Sequence, residues 1–249
     1  METNVCYQGD CLEVMKSIPD KSIDMILCDL PYGITACKWD TIIPFEPLWK
    51  QYNRIIKDNG AIVLTASQPF TTLLINSNIN QYKYSWYWQK ERGTGFQFSK
   101  YQPLRIIEDV CVFSKNKTIY NPLMIKLDKP YKHVLPRKKS DTLGELKTMK
   151  SGENIYKLYE YSLPNNLIRF ARDKNSDKKH PTQKPVALFE YLIKTYTNEG
   201  DLVLDNCAGS GTTGVACKNT NRNFILIEQD EKYCEVIKER VGCEIIKEI

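Results

Sequence analysis

Apolar positions along the chain recur with two periods, every second residue in short runs and every third or fourth in longer ones. Asn4–Tyr7 reads as a short strand and Cys11–Lys16 as a helix entered through Gly9-Asp10. Ile23–Cys28 is an apolar strand that stops at the turn Asp29-Leu30-Pro31-Tyr32-Gly33. Phe45–Lys57 has helical spacing, with Leu48, Tyr52, Ile55 and Ile56 on one side. Asn59-Gly60 ends that helix, Ala61–Ala66 reads as a buried strand, and Pro69–Asn76 as another helix. Tyr82–Trp88 and Ile106–Phe113 are strand-like and flank a polar loop, Lys90–Gln102, with Gly93 and Gly95. From 115 to about 180 the periodicity is weak. Regular signals return as helix Val186–Tyr196, strand Leu202–Asp205, helix Thr212–Lys218, strand Phe224–Glu228 and helix Glu231–Arg240. Strands alternating with helices predict an α/β fold with a mostly parallel sheet covered on both faces.

Length and composition narrow this to an ordinary globular chain. Its 249 residues suit one α/β domain carrying an insertion, with 42% hydrophobic and 26% charged residues. No run approaches the roughly 20 apolar residues of a membrane span. The start Met1-Glu2-Thr3-Asn4-Val5 lacks a basic and apolar leader, so a cytoplasmic location without membrane contact is expected. The nine cysteines are odd in number and include no Cys-x-x-Cys pair, which suits reduced thiols used as small core residues. The two histidines, His133 and His180, have no partner at zinc spacing, and no metal is expected.

Charge changes the picture in one place. Residues 1–114 hold 11 Lys/Arg against 12 Asp/Glu, residues 115–179 hold 16 against 7, and residues 180–249 hold 8 against 11. The whole positive excess therefore sits in the weakly periodic middle, which also carries Tyr120, Tyr131, Tyr156, Tyr159 and Tyr161. A basic stretch interleaved with aromatics suits nucleic acid, and a solvated lysine-rich surface is the plainer alternative. Lys100, Arg137, Lys138 and Lys139 are the candidate DNA contacts.

Two segments carry candidate chemistry. The first, Leu202 to Gly214, reads strand, glycine turn (Gly209-Ser210-Gly211), helix start, with Thr212 or Ser210 able to cap the helix. Glu228 ends the next strand, where a carboxylate suits the paired hydroxyls of a ribose. Gly209–Gly214 also fits G-x-G-x-x-G, but a dinucleotide fold would need more strands after the loop, which disfavours a nicotinamide-dependent oxidoreductase. The second segment, Asp29-Leu30-Pro31-Tyr32, ends a strand where α/β folds place their sites. An aromatic amine is a poor nucleophile because its lone pair is delocalised into the ring. A carboxylate and a backbone carbonyl that accept both amine hydrogens free that lone pair, Pro31 fixes the direction of the carbonyl before it, and Tyr32 offers a face to an extruded base.

With these blocks in this order, the sequence resembles the amino-methylating (N6-adenine/N4-cytosine) DNA methyltransferases of the permuted β group. Asp29–Tyr32 match the family's catalytic Asp-Pro-Pro-Tyr block, the variable recognition region follows, and Asp205–Thr213 match its cofactor loop. Gly9-Asp10-Cys11-Leu12-Glu13 and His180-Pro181-Thr182-Gln183-Lys184-Pro185 match two further blocks, as do Trp88-Gln89-Lys90 and Val110–Lys115. The resemblance implies a circularly permuted, Rossmann-like methyltransferase fold with an inserted target-recognition region. On this reading residues 1–114 are the catalytic half, 115–179 the recognition insertion and 180–249 the cofactor-binding half. It implies S-adenosylmethionine as cofactor, with double-stranded DNA as partner and a bacterial or phage-encoded, nucleoid-associated enzyme. A homodimer is left open. It also implies a catalytic role for Asp29, Leu30, Pro31 and Tyr32. Cofactor contacts are implied for Asp10, His180, Thr182, Lys184, Asp205, Cys207, Gly209, Ser210, Gly211, Thr212, Thr213 and Glu228. Within the family an Asp at position 29 goes more often with adenine N6 and a Ser with cytosine N4, so adenine is favoured and cytosine is the alternative. Two departures stand out: Leu30 replaces the first proline, and Asn206-Cys207 replace a Pro-Phe pair whose ring would pack on the cofactor.

Overall fold

The computed structural model describes residues 1–34, 40–134, 156–171 and 183–247. They form two compact units, Met1–Asn121 with Asn165–Ile249, and Pro122–Pro164. The larger unit is built on a nine-stranded sheet of β1 (Val5–Gln8), β2 (Ile23–Cys28), β3 (Ile56–Ala66), β4 (Tyr82–Thr94), β5 (Arg105–Phe113), β8 (Leu167–Arg169), β9 (Leu202–Asp205), β10 (Asn223–Glu228) and β11 (Ile245–Lys247). Their order is β11-β1-β10-β9-β2-β3-β5-β4-β8. All pairings from β11 to β3 are parallel, and β3–β5 and β5–β4 are antiparallel. Strands β9 and β10 come late in the chain yet lie between β1 and β2, so the sheet is Rossmann-like with its halves permuted.

Side chains alternate across the sheet and divide the core into two layers. On one face Met25, Leu27, Val63 and Val203 pack with Leu188 and Leu192 of α4 (Val186–Tyr196), Ala216 of α5 (Thr212–Asn219) and Ile237 of α6 (Glu231–Val241). On the other, Ile26, Cys28, Ile62 and Leu64 pack with Val14 of α1 (Cys11–Val14), Leu48, Tyr52 and Ile55 of α2 (Phe45–Ile55), and Phe70 and Leu74 of α3 (Phe70–Ser77). Burial on both faces is why the central strands read as continuous apolar runs. In the smaller unit β6 (Ile125–Val134) and β7 (Tyr156–Ser162) form an antiparallel pair.

Several boundaries differ from the sequence pattern. The helix expected to reach Lys57 stops at Ile55, because Ile56 is needed opposite Ile23 as the first residue of β3. The register then jumps to Ala61 opposite Met25. Gly60 is required inside this irregularity, since a Cβ there would lie 2.8 Å from the Asp24 carbonyl oxygen. Strand β4 continues past Trp88 to Thr94, taking in most of the first half of the expected loop. Strand β11 was not expected; it is three residues long and gains its regularity from pairing with β1. Among the described residues no helix is long and apolar enough to cross a membrane.

Candidate active site

The carboxyl ends of β1, β10, β9 and β2 open side by side onto a cavity of about 830 Å³. Parallel strands place their ends and following loops on one edge, where ligands of open α/β sheets bind. Asp10, Asp29, Tyr32, Lys184, Gly209 and Glu228 all line this cavity. Trp88, Lys90 and Glu108 reach it from the antiparallel strands β4 and β5.

Asp29 lines the cavity, immediately after β2. The Tyr32 hydroxyl donates to Oδ1 at 2.7 Å, and the Thr65 hydroxyl donates to the same oxygen. Lys184 Nζ lies 2.7 Å from both Oδ1 and Oδ2. Burial pushes Lys184 down, but Asp29 and then Glu108 outweigh it and hold the ammonium above its ordinary range. Burial, with Asp29 second, raises Tyr32 well above its ordinary value, so the phenol remains a donor. Its ring stacks on Phe70 at a centroid distance of 5.1 Å. Asp40, itself buried, accepts from the Gly33 and Ile34 amides at 2.8 and 3.0 Å and so secures the turn in which Leu30 stands. Leu30 is buried in the α2-side core and still contributes to the cavity wall, as does Pro31.

The glycine loop is tied down from behind. Asp205 is buried, accepts from Thr213 and from the Cys207 amide, and burial lifts its carboxyl to about 6. It therefore braces the loop from its place on the cavity wall. The Tyr52 hydroxyl donates to Asn206 Oδ1 at 2.6 Å in the core, which fixes the residue that stands where the family has proline. Gly209 (φ +54°) has open space where a Cβ would be, whereas a Cβ on Gly211 (φ +78°) would lie 2.8 Å from Val241. Gly211 is itself the N-cap of α5 without a side-chain cap, a correction to the expected capping by Thr212 or Ser210. Those hydroxyls are engaged elsewhere: Ser210 donates to Gln183, Thr212 to the Lys184 carbonyl, and Arg240 donates to both. Glu228 accepts from Gly209 N at 2.8 Å through Oε2 and from Asp230 N at 2.9 Å through Oε1. Burial raises its carboxyl above the ordinary range. Asp10 caps α1 by accepting from Leu12 N at 2.8 Å.

Residues 23–239 match the family model for N6/N4 methyltransferases, described as DNA methylase. The chain belongs to this DNA methylase family. Among curated proteins it is 28% identical to Type II methyltransferase M.HpaI of Haemophilus parainfluenzae, over 95% of this chain and 73% of that protein. It is also 28% identical to DNA adenine methyltransferase YhdJ of Escherichia coli K12, over 94% and 81%. Among solved structures, that of the M1.HpyAVI–SAM complex superposes with a TM-score of 0.63 at 24% identity, covering 95% of this chain and 98% of the other. The cytosine-N4-specific PvuII DNA methyltransferase superposes with a TM-score of 0.67 at 17% identity, covering 97% and 94%. These two establish the methyltransferase fold.

Lys184, expected among the cofactor contacts, lines the cavity and sets its ammonium on Asp29. Cys207, in place of the family's phenylalanine, is half-buried on the cavity wall. Lys100 is exposed in the turn between β4 and β5. His180, Thr182, Arg137, Lys138 and Lys139 lie outside the described residues. Thr65, Glu108, Asp40 and Tyr52 are site residues that the sequence pattern does not mark, and Lys90 stands in the Trp88-Gln89-Lys90 block, which by itself gives it no role. Each of the first four is one residue on an ordinary strand, helix or loop, with no local motif to mark it.

Proposed function

We propose that the chain transfers a methyl group from S-adenosylmethionine to adenine N6 of an extruded base in a specific DNA sequence. The observation that carries this is Asp29: a carboxylate at the end of β2, oriented by two hydroxyls, that shares one cavity with the Gly209 loop and Glu228.

The residues fit the cofactor. Gly209 leaves open space beside the backbone, and Glu228, pinned by two amides, keeps lone pairs for ribose hydroxyls. Asp10 stands at the same wall for the adenine end. Bound S-adenosylmethionine supplies a methyl group on a positively charged sulfur. Asp29 and the Leu30 carbonyl accept the target amine's two hydrogens, so its lone pair localises and faces the incoming carbon. As the amine nitrogen gains positive charge, the Asp29 carboxylate stabilises it. Tyr32 holds Asp29 and offers its ring to the base.

Adenine is favoured over cytosine by Asp at position 29 and by the adenine specificity in the name of the Escherichia coli relative. The basic stretch 115–179 and Lys100 supply phosphate contacts. Methylation-aware sequencing of a methylase-deficient host expressing the chain tests the reading: N6-methyladenine at one recurring motif is expected. N4-methylcytosine would overturn the base assignment, and unmodified DNA the whole reading.

A further inference from the structure

Two things that a target base needs in this site, the Asp29 carboxylate and the Tyr32 ring, both carry the same ammonium. Lys184 Nζ is 2.7 Å from each Asp29 oxygen and 5.4 Å from the Tyr32 ring centroid. With Tyr32 and Thr65 also donating to Oδ1, the carboxylate has little capacity left for an incoming amine. The charge is a second obstacle. During methyl transfer the amine becomes cationic, and a cation paired with Asp29 cancels the field that should stabilise it.

A second acceptor lies within a small displacement. Glu108 Oε2, on β5, is 3.6 Å from Lys184 Nζ. Its other oxygen accepts from Lys90 at 2.9 Å, and Lys90 is buried and also donates to Thr94 at 3.2 Å. Glu108 is thus a fixed carboxylate beside the ammonium. A buried lysine that left Asp29 with nowhere to go would carry the large cost of an unpaired charge. Rotation onto Glu108 avoids that cost.

We infer that Lys184 is a positioning residue that occupies the target amine's place on Asp29 until the base arrives and then transfers to Glu108. The inference rests on the methyltransferase reading above. Before base entry the ammonium holds Asp29 and Tyr32 in their working orientation; after transfer it frees acceptor positions on Asp29 for the amine and weakens its own pull on the carboxylate. A permanent structural ion pair with Asp29 would not need the second carboxylate.

The two accounts differ in how substitutions combine. Methyl transfer from tritiated S-adenosylmethionine to DNA of a methylase-deficient host gives kcat and KM, with calorimetric binding of S-adenosylhomocysteine as the folding control. Glu108→Gln strands the ammonium on Asp29, so kcat should fall roughly tenfold or more while S-adenosylhomocysteine binds as before. Adding Lys184→Met to Glu108→Gln removes the obstruction, and the double variant should be faster than Glu108→Gln alone. A double variant no faster than the single one, or a Glu108→Gln enzyme with undiminished kcat, overturns the inference. If Glu108→Gln loses S-adenosylhomocysteine binding, Glu108→Asp carries the test: slower than wild type, and accelerated by Lys184→Met. Failure of that acceleration overturns it equally. A wild type that transfers no methyl group overturns the functional reading and this inference with it, whereas active wild type with additive losses overturns the inference alone.

Discussion

The backbone amide of Gly209 donates to Oε2 of Glu228 at 2.8 Å, tying the loop after β9 to the end of β10. One carboxylate therefore shapes the glycine loop and, on the proposed reading, also accepts from the cofactor ribose. Glu228→Ala should weaken S-adenosylhomocysteine binding by roughly 1–3 kcal/mol, because ribose hydroxyls and a loop amide both lose their acceptor. Unchanged affinity by calorimetry would refute the ribose assignment.

Asp29→Ala should abolish methyl transfer and spare cofactor binding. Loss of one preorganised acceptor costs on the order of 3 kcal/mol or more in the transition state. Turnover near the wild-type rate would remove Asp29 from catalysis.

The two glycines of the loop should respond differently to alanine. Both have positive φ, which costs a non-glycine residue about 1–2 kcal/mol. At Gly211 the new methyl also meets Val241 at 2.8 Å, so Gly211→Ala should lower the melting temperature more than Gly209→Ala. At Gly209 the methyl enters the open space of the cavity, so Gly209→Ala should mainly impair S-adenosylhomocysteine binding. Thermal melts and calorimetry on the pair would expose a reversed order.

Asp205 makes a pH prediction. Burial lifts its carboxyl from 3.8 to about 6 in the folded chain. Between those values the native state holds more protons than the unfolded one, so stability falls as pH rises through this window. Full ionisation costs about 3 kcal/mol, from about two pH units at 1.36 kcal/mol each. Urea unfolding of the wild type should therefore lose ground to Asp205→Asn between about pH 4 and 7, as the folded and unfolded carboxyls titrate. A constant difference between the two would show that folding does not raise the Asp205 carboxyl.

Neutralising Arg137, Lys138 and Lys139 together should flatten the salt dependence of DNA binding and weaken all sequences alike, because phosphates carry no base identity. An effect confined to one target sequence would make these residues base readers instead. An unchanged salt slope would leave them a solvated surface.

The sequence by itself determined the elements whose patterns are local. Strand Ile23–Cys28 and helix Val186–Tyr196 stand at the bounds their periodicity marks, because an apolar run between turn residues and a helical stripe are both complete within a dozen positions. The Asp29–Tyr32 turn and the Gly209–Gly211 loop were legible for the same reason, and both stand at strand ends on one cavity. Tertiary structure alone decided what surrounds them. Ile56 left its helix because a strand partner 33 residues earlier buries it. Lys184 meets Asp29 across 155 residues of chain, Tyr52 meets Asn206 across 154, and Glu108 arrives on an antiparallel strand. Such contacts leave no periodic trace. A buried charge takes whichever opposite charge the packed fold brings nearest, because leaving it unpaired costs more than any local preference can offset.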